Sequence, residues 1–229
     1  MAFGSRDGSD RQGSDGGGIN MAEEERIRRL RSSRRNLNVR LDEMDEKIHR
    51  PTFRRADGKA NEVNYWVFDY EPEEELKVRD RISQMKKRNE KGTEGFELIV
   101  FDLYDIIIEY LESKNFIEKT KKMEERNGLE RVVKAVQRTL RITDKDNYLV
   151  QYIVDHTPEN AVVFITGIGK CYPLLEAPEV FNKVFYNMPK EFASTPMVLF
   201  YPGTYTEQEL VVFDERKEDN YYRAFRIAR

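Results

Sequence analysis

The sequence predicts an α/β protein: a mostly parallel sheet flanked by helices, with a C-terminal antiparallel strand pair and an N-terminal amphipathic helix. Two observations predict the sheet. The runs AVVFIT (161–166) and MVLFY (197–201) are continuously apolar, which is typical of strands buried on both faces. Helical patterns separate such runs along the chain, as the crossover connections of a parallel sheet do.

The chain divides by composition into a tail, a helix and one domain. Residues 1–20 are mostly glycine, serine and charged residues, so we expect a disordered tail. Residues 21–50 have apolar residues at alternating spacings of three and four, which predicts an amphipathic helix. Residues 51–229 are expected to form a single α/β domain.

The N-terminal helix allows three interpretations. Its apolar seam either packs on its own domain or docks to a partner protein, while its arginine-rich start, Arg28–Arg35, leaves DNA binding open. For the docking interpretation the candidate interface residues are Ile27, Leu30, Leu37 and Leu41.

The elements of the domain follow in order along the chain. Pro72 opens the first helix after a strand, since proline is tolerated at the first helical turn, and Gly92 ends it. A long helical pattern farther on is interrupted near Asn127-Gly128. Strands are predicted at 64–70, 96–104, 161–166 and 197–203, and helices at 72–91, 105–115, 116–139, 146–157 and 178–188.

The C-terminal segment predicts two strands, ELVVFDERK (209–217) and YYRAFRIA (221–228), joined by a short polar turn. We expect them to pair antiparallel at the edge of the sheet. Such an edge strand either pairs with a partner or protects the edge from aggregation. Its candidate interface residues are Tyr221, Tyr222, Arg223 and Arg226.

Composition excludes several classes of site. A single cysteine excludes an internal disulfide framework and a multi-cysteine zinc site, and two histidines disfavour a histidine-built metal site. The net charge of −3 does not favour DNA or membrane binding by the molecule as a whole. No apolar run is long enough to span a bilayer. We therefore expect a cytoplasmic protein without a membrane contact.

A glycine loop follows the strand at 161–166. Gly167, Gly169 and Lys170 resemble a phosphate-binding loop, in which backbone N–H groups and a lysine surround an anion. The Walker pattern fails, because Phe164 stands where its first glycine belongs and Cys171 where its hydroxyl belongs. Two interpretations remain: a tight strand-to-helix connection, or a loop that contacts an anion or a partner without hydrolysis.

Polar residues are predicted to share the edge of the sheet where the parallel strands end. If the four strands adjoin, this edge carries Asp69, Asp102, Lys170, Tyr201 and Gly203. Two aspartates could hold magnesium, although strand-terminal aspartates also cap the following helix. Tyrosines and glycines there suit a protein interface equally well. Tyr201 and Gly203 are therefore further candidate interface residues.

Four stretches together resemble the BrxB family of BREX (bacteriophage exclusion) defence systems. They are VFDYEPEEELKVRDRI (67–82), VVFITGIGKCYPLL (162–175), MVLFYPGTY (197–205) and DNYYRAFRI (219–227). The resemblance implies a cytoplasmic protein encoded beside a BrxC-type AAA+ ATPase, a PglZ protein of the alkaline-phosphatase superfamily and an adenine-specific DNA methyltransferase. The chain departs from the family at Glu176-Ala177-Pro178, where an arginine–small–histidine run is expected.

The resemblance implies a non-catalytic assembly subunit of a BREX bacteriophage-resistance complex, which binds the PglZ-type and BrxC-type proteins and contacts DNA at most indirectly. The family has no assigned active site, so no catalytic residue, cofactor or metal ligand is carried over. One alternative is a nucleotide- or metal-dependent phosphotransfer or hydrolytic enzyme, with Asp69, Asp102 and Lys170 around a degenerate phosphate loop. A DNA-binding accessory protein is the second alternative.

Overall fold

The computed structural model describes residues 36–54, 64–206, 209–212, 216–218 and 224–228, with backbone alone for 206, 209–212 and 216–218. Several sequence predictions lie outside these ranges: the disordered tail, Ile27, Leu30, Arg28–Arg35 and the three residues 221–223. The division of the chain at residues 20 and 50 stays a prediction.

The described helices match the helical patterns of the sequence closely. The predicted break near residue 128 is present, because Gly128 has φ of 77° and separates two helices. Short 3-10 turns lie at Pro72–Glu74, Phe185–Asn187 and Lys190–Phe192. The helices are α1 (Leu37–His49), α2 (Pro51–Arg54), α3 (Glu75–Asn89), α4 (Leu103–Ser113), α5 (Ile117–Asn127), α6 (Leu129–Thr139), α7 (Tyr148–Asp155), α8 (Ile168–Cys171) and α9 (Ala177–Lys183).

A five-stranded parallel sheet forms the centre of the fold. The strands are β1 (Tyr65–Tyr70), β2 (Glu97–Asp102), β3 (Ala161–Thr166), β4 (Met197–Pro202), β5 (Thr204–Thr206), β6 (Glu209–Val212), β7 (Arg216–Glu218) and β8 (Phe225–Arg226). The order in the parallel sheet is β2-β3-β4-β1-β8, and the register places Asp69 beside Tyr201 and Asp102 beside Thr166. The predicted α/β class with a mostly parallel sheet is confirmed.

The C-terminal strands pair differently from the expected arrangement. The antiparallel partners are β6 and β7, which together cover most of the run predicted as one strand, with β7 extending one residue beyond it, and β5 completes a second, three-stranded sheet. The last strand, β8, instead runs parallel to β1, and the Ile227 N–H donates to the Val67 carbonyl at 2.9 Å. Arg226 of this strand also forms a long-range ion pair with Asp69, described below.

Helices cover both faces of the parallel sheet. Strand residues alternate between the faces, so Phe68 packs with α1 and α3, whereas Val67 faces the opposite core with α4, α6, α7, α8 and α9. Leu41 of α1 is buried against its own sheet, which favours the first of the three interpretations of the N-terminal helix for its described part. No helix in the described ranges is both long and apolar enough to cross a bilayer.

Candidate functional site

The carboxyl ends of β2, β3, β4 and β1 adjoin, which is the condition under which the sequence places their polar residues together, and we call this border of the sheet the carboxyl edge. The chain leaves neighbouring strands β1 and β4 toward opposite faces: α3 follows β1 on one face, and Tyr205 of β5 packs in the core of the other. In open α/β sheets, ligands bind in the crevice at such a switch point. The residues that lie at this switch point therefore determine whether the carboxyl edge can bind a ligand.

Charged residues of the chain itself fill the crevice. Asp69 is fully buried, and its Oδ1 accepts from Nη2 of Arg40 at 2.7 Å. Its Oδ2 accepts from Nη2 of Arg226 at 2.9 Å and from the Tyr205 backbone N–H at 3.1 Å. Arg226 also donates to the Tyr205 carbonyl. We call these four residues the Asp69 cluster.

The Asp69 cluster joins parts of the chain that are far apart in sequence. Arg40 comes from α1, Asp69 from β1 and Arg226 from β8, so one carboxylate fastens the N-terminal helix and the C-terminal strand to the central sheet. The guanidinium of Arg40 also lies over the Phe68 ring, 4.8 Å from its centre. Buried charges are tolerated only when they are paired and hydrogen-bonded, and Asp69 meets that condition with three hydrogen bonds to its two oxygens.

The glycine loop has a steric reason for its first glycine. Gly167 has φ of 79°, and a Cβ added there would lie 2.2 Å from Oδ1 of Asp102. That oxygen also accepts from the backbone N–H groups of Tyr104 and Asp105, at 3.1 and 3.3 Å, and so caps α4. The glycine loop therefore packs directly against the Asp102 carboxylate of its own chain.

Lys170 pairs with the same carboxylate. Its Nζ lies 2.6 Å from Oδ2 of Asp102 and 3.0 Å from Oδ1 of Asp105. Partial burial acts to lower the pKa of Lys170, but the hydrogen bonds to these two carboxylates outweigh it and raise the pKa. Lysine and glycine thus surround an anion as in a phosphate loop, and the anion is Asp102. Gly169 serves close packing, since a Cβ there would lie 3.1 Å from Cγ of Pro202.

The thiol of Cys171 is expected to be unreactive in this environment. Its side chain is fully buried, and burial raises the pKa of its thiol to about 12. Only the thiolate is nucleophilic, and at neutral pH almost none of this cysteine is ionised. In the described ranges no group of three or more His, Cys, Asp or Glu side chains is placed to hold a metal ion.

The described candidate interface residues lie inside the fold. Leu37, Leu41 and Tyr201 are buried in the core, and Gly203 is buried, with its N–H donating to the Tyr70 carbonyl at 2.9 Å. Arg226 is 17% exposed and belongs to the Asp69 cluster. In this structure these side chains contact their own chain.

Sequence reasoning missed two members of the Asp69 cluster. Arg40 precedes Leu41 on the buried side of the predicted helix. A charged residue beside an apolar seam must find a buried partner, and this was the signal that could have identified it. Tyr205 gave no signal, because its role depends on its backbone N–H and on its position after β4.

An apolar cleft lies on the opposite end of the sheet, beside the edge strand β8. We call it the edge cleft; its volume is about 160 Å³. Tyr186, one of its lining residues, is 46% exposed. Phe225 of β8 is also 46% exposed, but its ring packs on Trp66 on the other face of the sheet. The lining residues are Tyr65, Phe181, Phe185, Tyr186, Met188, Pro189, Lys190, Ala193 and Ala224.

Comparison with known proteins places the chain in a family. The sequence model of the family described as "BREX protein BrxB" matches residues 99–227. A BREX protein BrxB of Bacillus cereus (strain H3081.97) is 39% identical over 193 residues, which cover 84% of this chain and 98% of the relative. The chain belongs to the BrxB family.

A more distant BrxB relative supports the same assignment. The BREX protein BrxB of Escherichia coli O9:H4 (strain HS) is 28% identical over 191 residues, which cover 83% of this chain and 91% of the relative. No solved structure matches the chain significantly. Membership in the BrxB family makes the chain a component of a bacteriophage-resistance system, and the four sequence stretches identified the family correctly.

Proposed function

We propose that this BrxB protein is a non-catalytic assembly subunit of its BREX complex. The observation that carries the proposal is that the polar side chains of the carboxyl edge are engaged with one another. Asp69 is held between two arginines, and Asp102 pairs with Lys170 while capping α4. A phosphotransfer enzyme built on these residues would first have to break those contacts. Their arrangement suits a scaffold.

The proposed partners are the PglZ-type and BrxC-type proteins that the family resemblance implies, in the cytoplasm. The edge cleft is the contact surface that we propose for the PglZ-type protein. Exposed aromatic side chains are typical anchors of protein interfaces: Tyr186 lines the cleft, and Phe225 lies on the edge strand β8 itself, where its ring packs on Trp66. A strand at the edge of a sheet also offers backbone groups for pairing with a partner.

Co-purification tests this proposal. The full chain carrying an affinity tag is co-expressed with the PglZ-type and BrxC-type proteins encoded beside it. We expect both proteins to be retained at moderate salt. The double variant Tyr186→Ser/Phe225→Ser is expected to lose the PglZ-type protein by more than tenfold, because truncating anchor residues costs several kcal/mol of binding energy.

Leu129→Ser is the matched control, since Leu129 is 48% exposed on the surface of α6, away from the edge cleft. It is expected to retain both partners. A tagged wild-type chain that elutes alone with both proteins present contradicts the assembly role. Equal retention by wild type and double variant contradicts only the placement of the contact.

A further inference from the structure

The helix pair α5–α6 carries a concentrated positive charge on an acidic protein. Residues 117–139 contain seven basic and four acidic residues, whereas the whole chain has a net charge of −3. The two helices contact each other and are joined at Gly128. None of the eleven residues of α5 is buried. The pair thus presents much of its surface to solvent.

The basic residues form the same stripe on both helices. Lys119, Lys122 and Arg126 on α5, and Arg131, Lys134 and Arg138 on α6, lie at positions i, i+3 and i+7, and all six are exposed. We call them the basic stripes. Each stripe lies along one side of its helix and spans about 10 Å. On α6 it lies opposite the two buried residues, Val132 and Val136.

The stripe charges are largely available to a ligand. Lys134 pairs with Glu130 of its own helix. The other five stripe residues have no described carboxylate within 4 Å, whereas Lys121, outside the stripes, pairs with Glu118.

We propose that the basic stripes bind the phosphate backbone of duplex DNA without reading its sequence. DNA carries one negative charge per about 1.7 Å of its axis, so three cations spread over about 10 Å meet several phosphates in any register. The stripes contain no apolar or aromatic residue. Protein interfaces need such residues at their centre and are depleted in lysine, so an acidic protein is the less suitable ligand.

Fluorescence anisotropy with the full chain and a labelled duplex of random sequence tests this proposal. With six phosphate contacts the logarithm of the binding constant should fall with the logarithm of salt concentration with a slope near −5, about a thousandfold between 50 and 200 mM salt. The quadruple variant Lys122→Gln/Arg126→Gln/Arg131→Gln/Arg138→Gln should bring the slope about 3.6 units closer to zero. It should also bind at least tenfold more weakly at 50 mM salt.

A control variant with the same change of charge lies on the other side of the sheet. Lys77→Gln/Arg79→Gln/Lys86→Gln/Lys87→Gln removes four exposed cations from α3, which packs against the opposite face from α6. It should bind like wild type. Equal weakening by both quadruple variants, or no binding by wild type at 50 mM salt, overturns the proposal. Displacement of the DNA by polyglutamate at equal charge overturns it in favour of an acidic protein ligand.

Discussion

Asp69→Asn is expected to lower the free energy of unfolding by about 3–5 kcal/mol, because it removes the buried negative charge that accepts hydrogen bonds from two arginines. The amide side chain has nearly the same shape as the carboxylate, so the loss would come from charge and hydrogen bonding. The side chain is fully buried, and water cannot replace the missing partner at no cost. Urea unfolding followed by circular dichroism measures the change.

Asp105→Asn is the control for this prediction. Asp105 also pairs with a cation, Lys170 at 3.0 Å, but its side chain is 61% exposed. Exposed ion pairs contribute at most about 1 kcal/mol, so this variant should unfold close to wild type. Similar losses for Asp69→Asn and Asp105→Asn would show that the Asp69 cluster does not fasten α1 and β8 to the sheet.

Gly167→Ala is expected to destabilise the protein by about 2–4 kcal/mol. Part of the loss is the left-handed backbone, which costs an alanine about 1–2 kcal/mol. The rest arises because the added Cβ would lie 2.2 Å from Oδ1 of Asp102, so that the carboxylate must move. Movement of the Asp102 carboxylate weakens two contacts. One is its cap of α4, which contributes about 1 kcal/mol, and the other is its ion pair with Lys170.

Gly92→Ala separates the two contributions. Gly92 has φ of 70°, and a Cβ added there would meet nothing within 4 Å, so only the backbone cost applies. The difference between the two variants in thermal unfolding measures the contact with Asp102. Equal losses for Gly167→Ala and Gly92→Ala would mean that the glycine loop does not pack tightly on that carboxylate.

Elements whose signals are local could be predicted from the sequence. Gly128 ends α5 at the predicted break, and the apolar runs of β3 and β4 lie in the centre of the sheet. The direction of β8 could not be predicted, because its partner strand is β1, whose Asp69 lies 157 residues from Arg226 in the sequence. A polar turn after residue 217 suggested an antiparallel return, but the chain already reverses between β6 and β7.

Only part of the candidate site could be anticipated from the sequence, and its contacts could not. Parallel strands end at one edge, so Asp69, Asp102 and the glycine loop come together once these strands adjoin, whereas Arg40 and Tyr205 were missed. A sequence pattern does not say whether Lys170 faces solvent or a carboxylate of its own chain. The structure gives Lys170 two carboxylate partners, and this contact explains why the loop resembles a phosphate site without matching a known pattern.

Thermal unfolding with ATP or GTP and magnesium tests the central claim most directly, namely that the carboxyl edge is occupied by its own side chains. We predict no change of the melting temperature at millimolar nucleotide. A ligand at 100 times its dissociation constant would add about 2.7 kcal/mol to the stability, which is easily measured. A saturable rise in melting temperature that Lys170→Ala abolishes would contradict the account.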